Sequence, residues 1–413
     1  MPSSSTPNAH PDRAVEATDA LFRAARLVRN LRGKSGVPSD GSSSLGWKSE
    51  VPSDGSSSLG WKSGVPSDGS SSLGWKSGVP SDGSSSLGCK SASVPLRVRF
   101  ARAAPEELLQ SAPVPRVAPN GVQWLAVPGW EKPGRQKTSW LWHGFSTRKG
   151  GLSRAYCAEG APGELNLGFT AVDDRKTVGH NRRLLVAAIT GDAATPLIVL
   201  RQIHSSVLVV ATAGDAARER SWKADGLMTD EPGLLLGVQT ADCIPVLVAD
   251  RKRRAVAAFH AGWRGTVKRI VETGVGRMRL EFGSRPEDLI AAIGPGIGAC
   301  CYAVGEEVLS SFESQFAYAD ELFREVDDSD PVRTRYPMLF LTQRAPGHSP
   351  IGPSLHLDLV EANRRQLLSA GLEPRSIKLI GGCTSCQPEL FFSHRASRGH
   401  AGRMMSLIGI RPR

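Results

Sequence analysis

A 14-residue unit, repeated four times, limits the part of this chain that can form a globular core. Residues 37–92 are near-identical copies of VPSDGSSSLGWKSG, in which Trp47, Trp61 and Trp75 recur in step and Cys89 replaces the fourth tryptophan. Each copy has few apolar residues among many serines and glycines, so it buries too little apolar surface to offset its ordering entropy. We predict a disordered spacer, and the fixed period leaves a partner-binding array as the alternative.

Residues 1–36 are predicted to be no more globular than the repeats. Within residues 20–31, Arg23, Arg26 and Arg29 share one face of a short basic helix. Such a helix could contact an acidic surface, but a solvated helix is the simpler prediction. The segment also lacks the long apolar centre that a secretory signal needs.

The composition excludes several classes of protein. The net charge of +11 is spread along the chain, and its dense cluster, residues 251–254, is predicted to be a hairpin turn. Because no aromatic-interleaved basic groove accompanies that charge, we predict no nucleic-acid binding. No run reaches the ~18 apolar residues of a membrane span, so we expect a soluble protein. Seven cysteines without an export signal indicate a reducing, cytoplasmic compartment.

Residues 94–413 are the predicted globular domain. Predicted strands cover residues 140–145, 197–200, 207–211, 234–238, 244–249, 255–260, 289–293 and 377–380. Predicted helices cover residues 177–190, 266–282, 305–316 and 358–370. Adjacent strand pairs and isolated helices favour an α+β or mixed-sheet α/β fold over a regular doubly wound sheet. No G-x-G-x-x-G follows a strand and no G-x-x-x-x-G-K-[ST] is present, which argues against dinucleotide and Walker-type nucleotide sites.

One cysteine and two histidines stand beside the ends of predicted strands. Cys243 and His260 each follow an apolar run, and His204 precedes another. Two imidazoles and one thiolate form a ligand set that suits Zn²⁺, with the fourth tetrahedral position left open. The spacings of 39 and 17 residues match no short zinc signature, so ordinary structural roles for all three residues stay open on spacing alone.

The turn after His260 is a predicted anion site. Gly262 and Gly265 permit tight backbone geometry just before a predicted helix, and Arg264 between them could clamp an anion with two hydrogen bonds. The alternative is an ordinary strand-to-helix turn in which Arg264 pairs with a carboxylate.

Four further cysteines occur in two pairs. Cys300 and Cys301 are adjacent after a glycine-rich turn, and Cys383 with Cys386 forms a C-x-x-C. A redox pair or half of a zinc site is the functional interpretation. Because no second C-x-x-C is present, we predict buried, inert thiols instead.

Around His204, Cys243 and His260, the sequence resembles the YfiH-type family, whose members have been described as laccase-domain, polyphenol oxidase and purine nucleoside phosphorylase proteins. The resemblance runs from about Trp142 to Ile410. Its blocks are HGFSTR at 143–148, LNLG at 165–168, DD at 173–174, NR at 181–182, QIH at 202–204, AD at 224–225, TADCIP at 240–245, HAGWRG at 260–265, IGPGI at 293–297, HLDL at 356–359, CT at 383–384, FFSHR at 391–395 and GRM at 402–404.

The resemblance implies a fold, a metal site and a substrate class. The fold is a single layered domain of mixed β-sheets flanked by helices, and the metal ligands fall on His204, Cys243 and His260. The implied substrates are purine nucleosides and phosphate: phosphorolysis of adenosine, inosine, guanosine or methylthioadenosine, with deamination of adenosine in the same pocket. Tyr302 is followed here by Ala303, where the family commonly has glutamate, which puts substrate range or rate in question.

The residues make both reactions chemically plausible. Zinc lowers the pKa of a bound water toward ~7, which suits deamination at neutral pH. For phosphorolysis, we expect the turn at 262–265 with Arg264, and Arg182 beside it, to hold phosphate. Cys243 and His260 are the expected catalytic centre, and Asp242 is either a proton carrier or a structural partner of the ligands.

Three other functions stay open. A copper-dependent phenol oxidase would hold several coppers with many histidines, and the chain has nine. A peptidoglycan-editing amide hydrolase would use Cys243 as nucleophile with His260 as base, or a zinc-activated water. A structural zinc protein would show no turnover on any nucleoside. We also predict that deleting residues 1–92 leaves turnover unchanged.

Overall fold

Fifteen short strands and six helices make up the part of the chain that the computed structural model describes, residues 114–130, 140–217, 222–326 and 354–412. The strands are β1 (Arg116–Val117), β2 (Gln123–Leu125), β3 (Leu141–Ser146), β4 (Lys149–Ser153), β5 (Leu197–Val199), β6 (Leu208–Val210), β7 (Gly226–Thr229), β8 (Leu235–Thr240), β9 (Ile244–Asp250), β10 (Val256–Ala261), β11 (Leu289–Ile293), β12 (Phe323–Val326), β13 (Ser354–Leu357), β14 (Ile377–Leu379) and β15 (Met404–Ile410). The helices are α1 (Arg175–Thr190), α2 (Ala213–Ala217), α3 (Trp263–Val267), α4 (Ile270–Phe282), α5 (Glu306–Glu313) and α6 (Leu359–Ser369). The predicted spacer, the basic helix and the domain start at residue 94 lie outside the described residues.

Two six-stranded mixed sheets carry most of these strands. The first has the order β1-β2-β3-β15-β8-β5 and the second β14-β11-β9-β10-β7-β6, while β12 and β13 form a separate pair. Strands β5 and β8 run parallel in the first sheet, as do β6 with β7 and β11 with β14 in the second. The remaining sheet neighbours are antiparallel, which matches the predicted mixed-sheet architecture.

Strand β10 shows why the two sheets stack. Its side chains alternate, so that Val256 and Ala258 enter a core shared with the first sheet, while Ala257 and Phe259 enter the core beneath the helices. A Cβ on Gly274 of α4 would lie 2.3 Å from the Phe259 ring, so only glycine lets the helix pack this closely. A strand buried on both faces reads as the continuous apolar run seen in the sequence.

Helices cover the outer faces of both sheets. Leu185 and Val186 of α1 pack in the core outside the first sheet, and Val271 of α4 and Leu367 of α6 pack in the core outside the second. The resulting order is helix, sheet, sheet, helices, a four-layer domain. The predicted fold of mixed sheets flanked by helices is therefore confirmed. No helix in the described ranges is long and apolar enough to cross a membrane.

The predicted elements and the structure differ at several places. Helix α1 begins two residues early because Asp174 caps it, accepting a hydrogen bond from the Thr177 amide at 2.8 Å. The predicted helix 266–282 is two helices, because Arg269 adopts a left-handed backbone with φ of 56° between α3 and α4. Strand β15 was not predicted, although it lies between β3 and β8 in the first sheet.

Candidate metal centre and active site

Three chain segments bring His204, Cys243 and His260 together. His204 lies after β5, Cys243 lies between β8 and β9, and His260 is on β10. Their ligand atoms all lie within 4.8 Å of one another. The Cys243 sulphur is 3.8 Å from His204 Nε2, and the two imidazole rings are 4.9 Å apart between centroids. The donor set, two nitrogens and one sulphur, fits a metal ion of zinc type.

Backbone geometry at two of these positions is unusual. His204 has φ of 56°, and Asp242, just before Cys243, has φ of 86°. Both values lie in the left-handed region that residues other than glycine rarely adopt. The second turn lies where the chain passes from the first sheet, at β8, to the second, at β9. Such conformations concentrate at functional sites.

Asp225 orders the centre, and it was not assigned a role from the sequence. Its carboxylate lies 2.8 Å from Nδ1 of His260, and it accepts hydrogen bonds from the amides of His204 and Ser205 and from the Ser205 hydroxyl. Burial alone would raise the pKa of Asp225, but the hydrogen bonds from His260 and Ser205 hold it well below its usual range. A carboxylate on Nδ1 fixes the ring and leaves Nε2 to face the other ligands.

Cys243 and His260 polarise each other. Burial alone would raise the pKa of Cys243, but His260 and His204 lower it to about 6. Burial alone would lower the pKa of His260, but the Cys243 thiolate and Asp225 raise it to about 9. The thiolate, which is the form that binds metals and attacks electrophiles, is therefore the stable form of Cys243 near neutral pH.

Gly262 lies directly against the ligands. A Cβ added there would lie 2.9 Å from the Cys243 sulphur and 3.0 Å from Cδ2 of His204. The glycine predicted to form part of an anion-binding turn thus leaves room for the ligand side chains. Gly265 is buried one turn later, where its added Cβ would lie 3.2 Å from the Ser205 carbonyl.

A cavity of about 670 Å³ opens beside the three ligands. Besides His204, Cys243 and His260, its lining includes aromatic and polar side chains: Tyr156, Phe169, Gln202, Gln239, His394, His400 and Arg403. Its size lies within the usual range for small-ligand pockets, ≈ 300–1,000 Å³. Arg403 places a cation in this lining, and the sequence pattern gave it no role in the site.

The two arginines predicted to share a phosphate site lie elsewhere. Arg182 lines a neighbouring cavity of about 870 Å³ together with Arg175 and Arg201. Burial, followed by the charge of Arg175, lowers the pKa of Arg182 to about 10. Arg264 lines neither cavity, and its guanidinium lies over the Trp263 ring at 4.4 Å. Neither arginine is in the lining of the cavity beside His260, although Arg182 lies over the ring of Phe169, which lines that cavity.

Gln239 separates the two cavities and lines both. Its backbone exchanges two hydrogen bonds with the Gln202 side chain, each 2.7 Å long. Its own side-chain oxygen lies 3.5 Å from a guanidinium nitrogen of Arg182. Phe169 and Leu200 also line both cavities, so these two residues and Gln239 form the boundary between the arginine cavity and the cavity beside the candidate ligands.

Asp242 faces away from the three ligands. One carboxylate oxygen accepts a 2.6 Å hydrogen bond from the Thr384 hydroxyl, and the other accepts one of 2.6 Å from the Arg395 amide. The side chain is 8 % exposed and is absent from the lining of the described cavity. These contacts favour the structural role of the two that the sequence left open.

The remaining cysteine pairs are neither buried nor scattered. Cys300 and Cys386 are exposed, and Cys301 and Cys383 are half-buried. All four sulphurs lie within 4.8 Å of one another. The prediction of buried, inert thiols is therefore wrong about burial. It rested on the lack of a second C-x-x-C motif, and the adjacent pair Cys300 and Cys301 is the other half of the cluster.

Tyr302 and Ala303 lie between the thiol cluster and the centre. Burial and the neighbouring Cys243 thiolate raise the pKa of Tyr302 to about 12. Arg395 lies over the Tyr302 ring at 5.3 Å and donates a hydrogen bond to the Ala303 carbonyl. Ala303, which stands where the family commonly has glutamate, therefore contacts Arg395 through its backbone carbonyl.

The fold and site define a four-layer α/β protein with a centre of two histidines and one cysteine. A family model described as "Multi-copper polyphenol oxidoreductase laccase" matches residues 142–411. The chain belongs to this family, and the predicted resemblance to YfiH-type proteins is confirmed.

Named relatives and solved structures match the same region. The purine nucleoside phosphorylase YlmD of Geobacillus stearothermophilus is 35% identical over 292 residues, 68% of this chain and 95% of that protein. A purine nucleoside phosphorylase of Deinococcus radiodurans is 37% identical over 65% of this chain and 88% of its own length. The crystal structure of YfiH from Bacillus licheniformis has a TM-score of 0.58 at 30% identity, covering 72% of this chain and 99% of that one. The names of the relatives support an enzyme.

Proposed function

We propose that this chain is a zinc-dependent purine nucleoside phosphorylase that also deaminates adenosine. The observation that carries the proposal is a centre of His204, Cys243 and His260, ordered by Asp225, beside a cavity of about 670 Å³. Relatives that align over nearly their whole length are named purine nucleoside phosphorylases. The substrates would be adenosine, inosine, guanosine or methylthioadenosine, together with phosphate.

His204, Cys243 and His260 would hold the zinc ion, which supplies Lewis acidity and an acidified water for deamination. Asp225 keeps His260 in one orientation throughout. Phe169 would supply apolar surface for the purine ring from the lining of the cavity. In deamination the water oxygen bonds to the amino-bearing ring carbon, one water proton passes to the amino nitrogen and the other to the adjacent ring nitrogen, and the carbon–nitrogen bond breaks so that ammonia leaves.

In phosphorolysis a phosphate oxygen bonds to the anomeric carbon of the ribose while the bond to the purine nitrogen breaks. The electron pair goes to the base, which then takes a proton. Arg403 is the arginine that we propose to hold phosphate, because it lines the cavity and its NH1 donates to the Ala401 carbonyl at 2.7 Å, which fixes the guanidinium. His394 and His400 in the same lining are the candidate proton donors.

The test is an assay of purified protein with adenosine or inosine, with and without phosphate, resolving base, ribose 1-phosphate and inosine. We expect phosphate-dependent release of base from both nucleosides, and inosine from adenosine. The Cys243→Ala variant should show neither reaction. Absence of turnover from protein with a filled metal site would refute the proposal.

Two arginine variants separate the two phosphate sites. In Arg403→Ala the KM for phosphate should rise about tenfold or more, corresponding to one lost charged hydrogen bond of about 1.5–3 kcal/mol. Arg264→Ala tests the turn at residues 262–265 that the sequence had indicated. A phosphate KM that rises only in Arg264→Ala would return the anion site to that turn.

The thiolate of Cys243 beside His260 also suits a second function, nucleophilic cleavage of an amide bond. This mechanism predicts activity that survives a metal chelator and is abolished by thiol alkylation. Turnover of peptidoglycan fragments by chelated protein, without turnover of nucleosides, would establish it in place of the phosphorylase.

A further inference from the structure

Four cysteines from two distant segments form a second cluster outside the proposed active site. Cys300 and Cys301 follow β11, and Cys383 and Cys386 follow β14. All four sulphurs lie within 4.8 Å of one another. The Cys386 sulphur is 3.5 Å from that of Cys300 and 3.4 Å from that of Cys301.

The sheet explains why these segments meet. Strands β11 and β14 are parallel neighbours in the second sheet, so the loops that follow them leave the same edge. A bridge between Gly296 and Cys383 and a 2.9 Å hydrogen bond from the Thr384 amide to the Gly296 carbonyl tie the two loops together. The four side chains are therefore held by paired backbone.

The sulphur spacing suits a metal ion better than disulfides. A disulfide joins two sulphurs at ≈ 2.05 Å, whereas the Cys386 sulphur has two partners at similar, longer distances. Four sulphurs around one Zn²⁺ at ≈ 2.3 Å are separated by about 3.8 Å in a regular tetrahedron. The observed separations of 3.4 and 3.5 Å need only a small expansion to reach that value.

The backbone around Cys383 also supports thiolate binding. The Gly298 amide donates a hydrogen bond to the Cys383 sulphur at 3.2 Å. A Cβ on Gly298 would lie 3.2 Å from Cβ of Cys383 and 3.3 Å from the Cys300 sulphur, so glycine gives the amide its close approach. Hydrogen bonds of this kind stabilise a ligating thiolate and fix its direction.

We propose that Cys300, Cys301, Cys383 and Cys386 bind one Zn²⁺ ion in a closed, tetrahedral, all-sulphur site. Four protein ligands leave no position for substrate, so the site is structural. The bound ion would link the loop after β11 to the loop after β14.

The two loops that carry the four cysteines contact the proposed active site through Asp242. Thr384, next to Cys383, donates its hydroxyl hydrogen to the Asp242 carboxylate. On the other loop, the Ile297 amide donates to the Asp242 carbonyl at 2.8 Å. Asp242 immediately precedes Cys243. By joining the two loops that contact Asp242, the four-cysteine site would therefore also fix the position of Cys243.

The experiment is metal analysis of the full chain, purified without oxygen and without added chelator. We expect about two equivalents of zinc per chain, one for each cluster. The double variant Cys383→Ser, Cys386→Ser should lose one equivalent and keep the other. The matched variant His204→Ala should lose the equivalent that the double variant keeps.

A spectroscopic measurement covers the case in which the double variant fails to fold. Zinc X-ray absorption of His204→Ala, which retains only the thiol cluster, should show four sulphur ligands at ≈ 2.3 Å and no nitrogen. A nitrogen ligand, or no bound zinc in that variant, would overturn the proposal. So would a single equivalent in the native chain together with a mass deficit that shows disulfides among the four cysteines. None of these readouts depends on nucleoside turnover.

Discussion

The two cysteine-containing clusters of this chain differ in what surrounds them. The centre of His204, Cys243 and His260 has three ligands, lies beside a cavity and has a buried carboxylate behind one histidine. The cluster that includes Cys300 and Cys386 has four thiols and backbone amides behind them. Three ligands leave a position open for chemistry, whereas four close it. The same metal would therefore serve catalysis at one place and structure at the other.

The comparison also concerns charge. At the three-ligand centre, one thiolate lies beside two imidazoles, and the Asp225 carboxylate contacts Nδ1 of His260. At the thiol cluster no histidine or carboxylate is among the ligating groups. An all-thiolate set holds zinc tightly but suppresses its Lewis acidity, whereas neutral imidazoles preserve it.

Removing one sulphur from each cluster should give the largest and clearest difference. Cys243→Ala should lower kcat/KM for phosphorolysis by about 10³-fold or more, since a Lewis acid contributes several kcal/mol to the transition state. Cys386→Ser should cost more in thermal stability than in activity. Cys157→Ser is the control, because this thiol lies outside both clusters and a hydroxyl can keep its hydrogen bonds to the Ser153 and Pro162 carbonyls; it should change neither. Equal effects of the first two substitutions on activity would remove the distinction between the sites.

The carboxylate behind His260 can be tested by Asp225→Asn. The amide keeps the shape but not the charge, so zinc affinity at the three-ligand centre should fall by about 10–100-fold. Competition with a metal-binding dye measures this affinity. Asp250→Asn is a matched control, because that buried carboxylate accepts backbone hydrogen bonds in a turn away from both clusters. An equal loss of zinc affinity in the control would mean that Asp225 acts only through folding.

The link between the clusters predicts a smaller effect. Thr384→Val removes the hydroxyl that donates to Asp242 and leaves a buried charge with one fewer partner. We expect a loss of about 1–3 kcal/mol in the free energy of unfolding, together with a lower kcat. Thr266→Val removes a hydroxyl that bonds only the neutral amide of Asn363, and its cost should be about half as large. A larger loss in the free energy of unfolding for Thr266→Val than for Thr384→Val would contradict the view that the Asp242 contact joins the two sites.

A buried histidine outside both clusters shows what the carboxylate does for His260. Burial, with Arg116 and Arg411 nearby, lowers the pKa of His143 from 6.5 to about 3. The unfolded chain therefore binds more protons than the folded one below pH ~6.5, and the free energy of unfolding falls as the pH falls toward 3, by at most about 1.4 kcal/mol per pH unit. Denaturant unfolding at several pH values should show a shallower acid slope for His143→Gln than for the native chain. An acid slope in His143→Gln as steep as that of the native chain would contradict this assignment.

The sequence predicted the elements of the fold that depend on local pattern. Strands β9 and β10 were recognised because apolar runs end at turn residues, and Cys243 and His260 were found at those ends. Strand β15 was missed because its place between β3 and β8 depends on pairing with residues far along the chain. Helix α1 was predicted except for its first turn, which the Asp174 cap determines.

The candidate site divides in the same way. Residue type together with the family resemblance indicated His204, Cys243 and His260 as the candidate ligands. Asp225 and Arg403 become visible only when distant segments meet, although both lie in blocks that had been noted for the family resemblance. Arg264, in the turn, shows the converse. Adjacency in sequence suggested a shared site, whereas in the structure its guanidinium lies over the Trp263 ring and does not line the cavity.

The smallest expected effect comes from deleting residues 1–92. The repeats carry Cys89, so six of the seven cysteines remain. Five of these lie in the two clusters and the sixth is Cys157. We expect unchanged kcat/KM and unchanged zinc content, because the candidate ligands of both clusters lie between residues 204 and 386. In thiol titration one cysteine should react at once, and five more only after a chelator removes the metal, since ligated thiolates are protected. More than one rapid thiol in the zinc-loaded protein would show that one of the clusters is not ligated, and the number of rapid thiols would identify which.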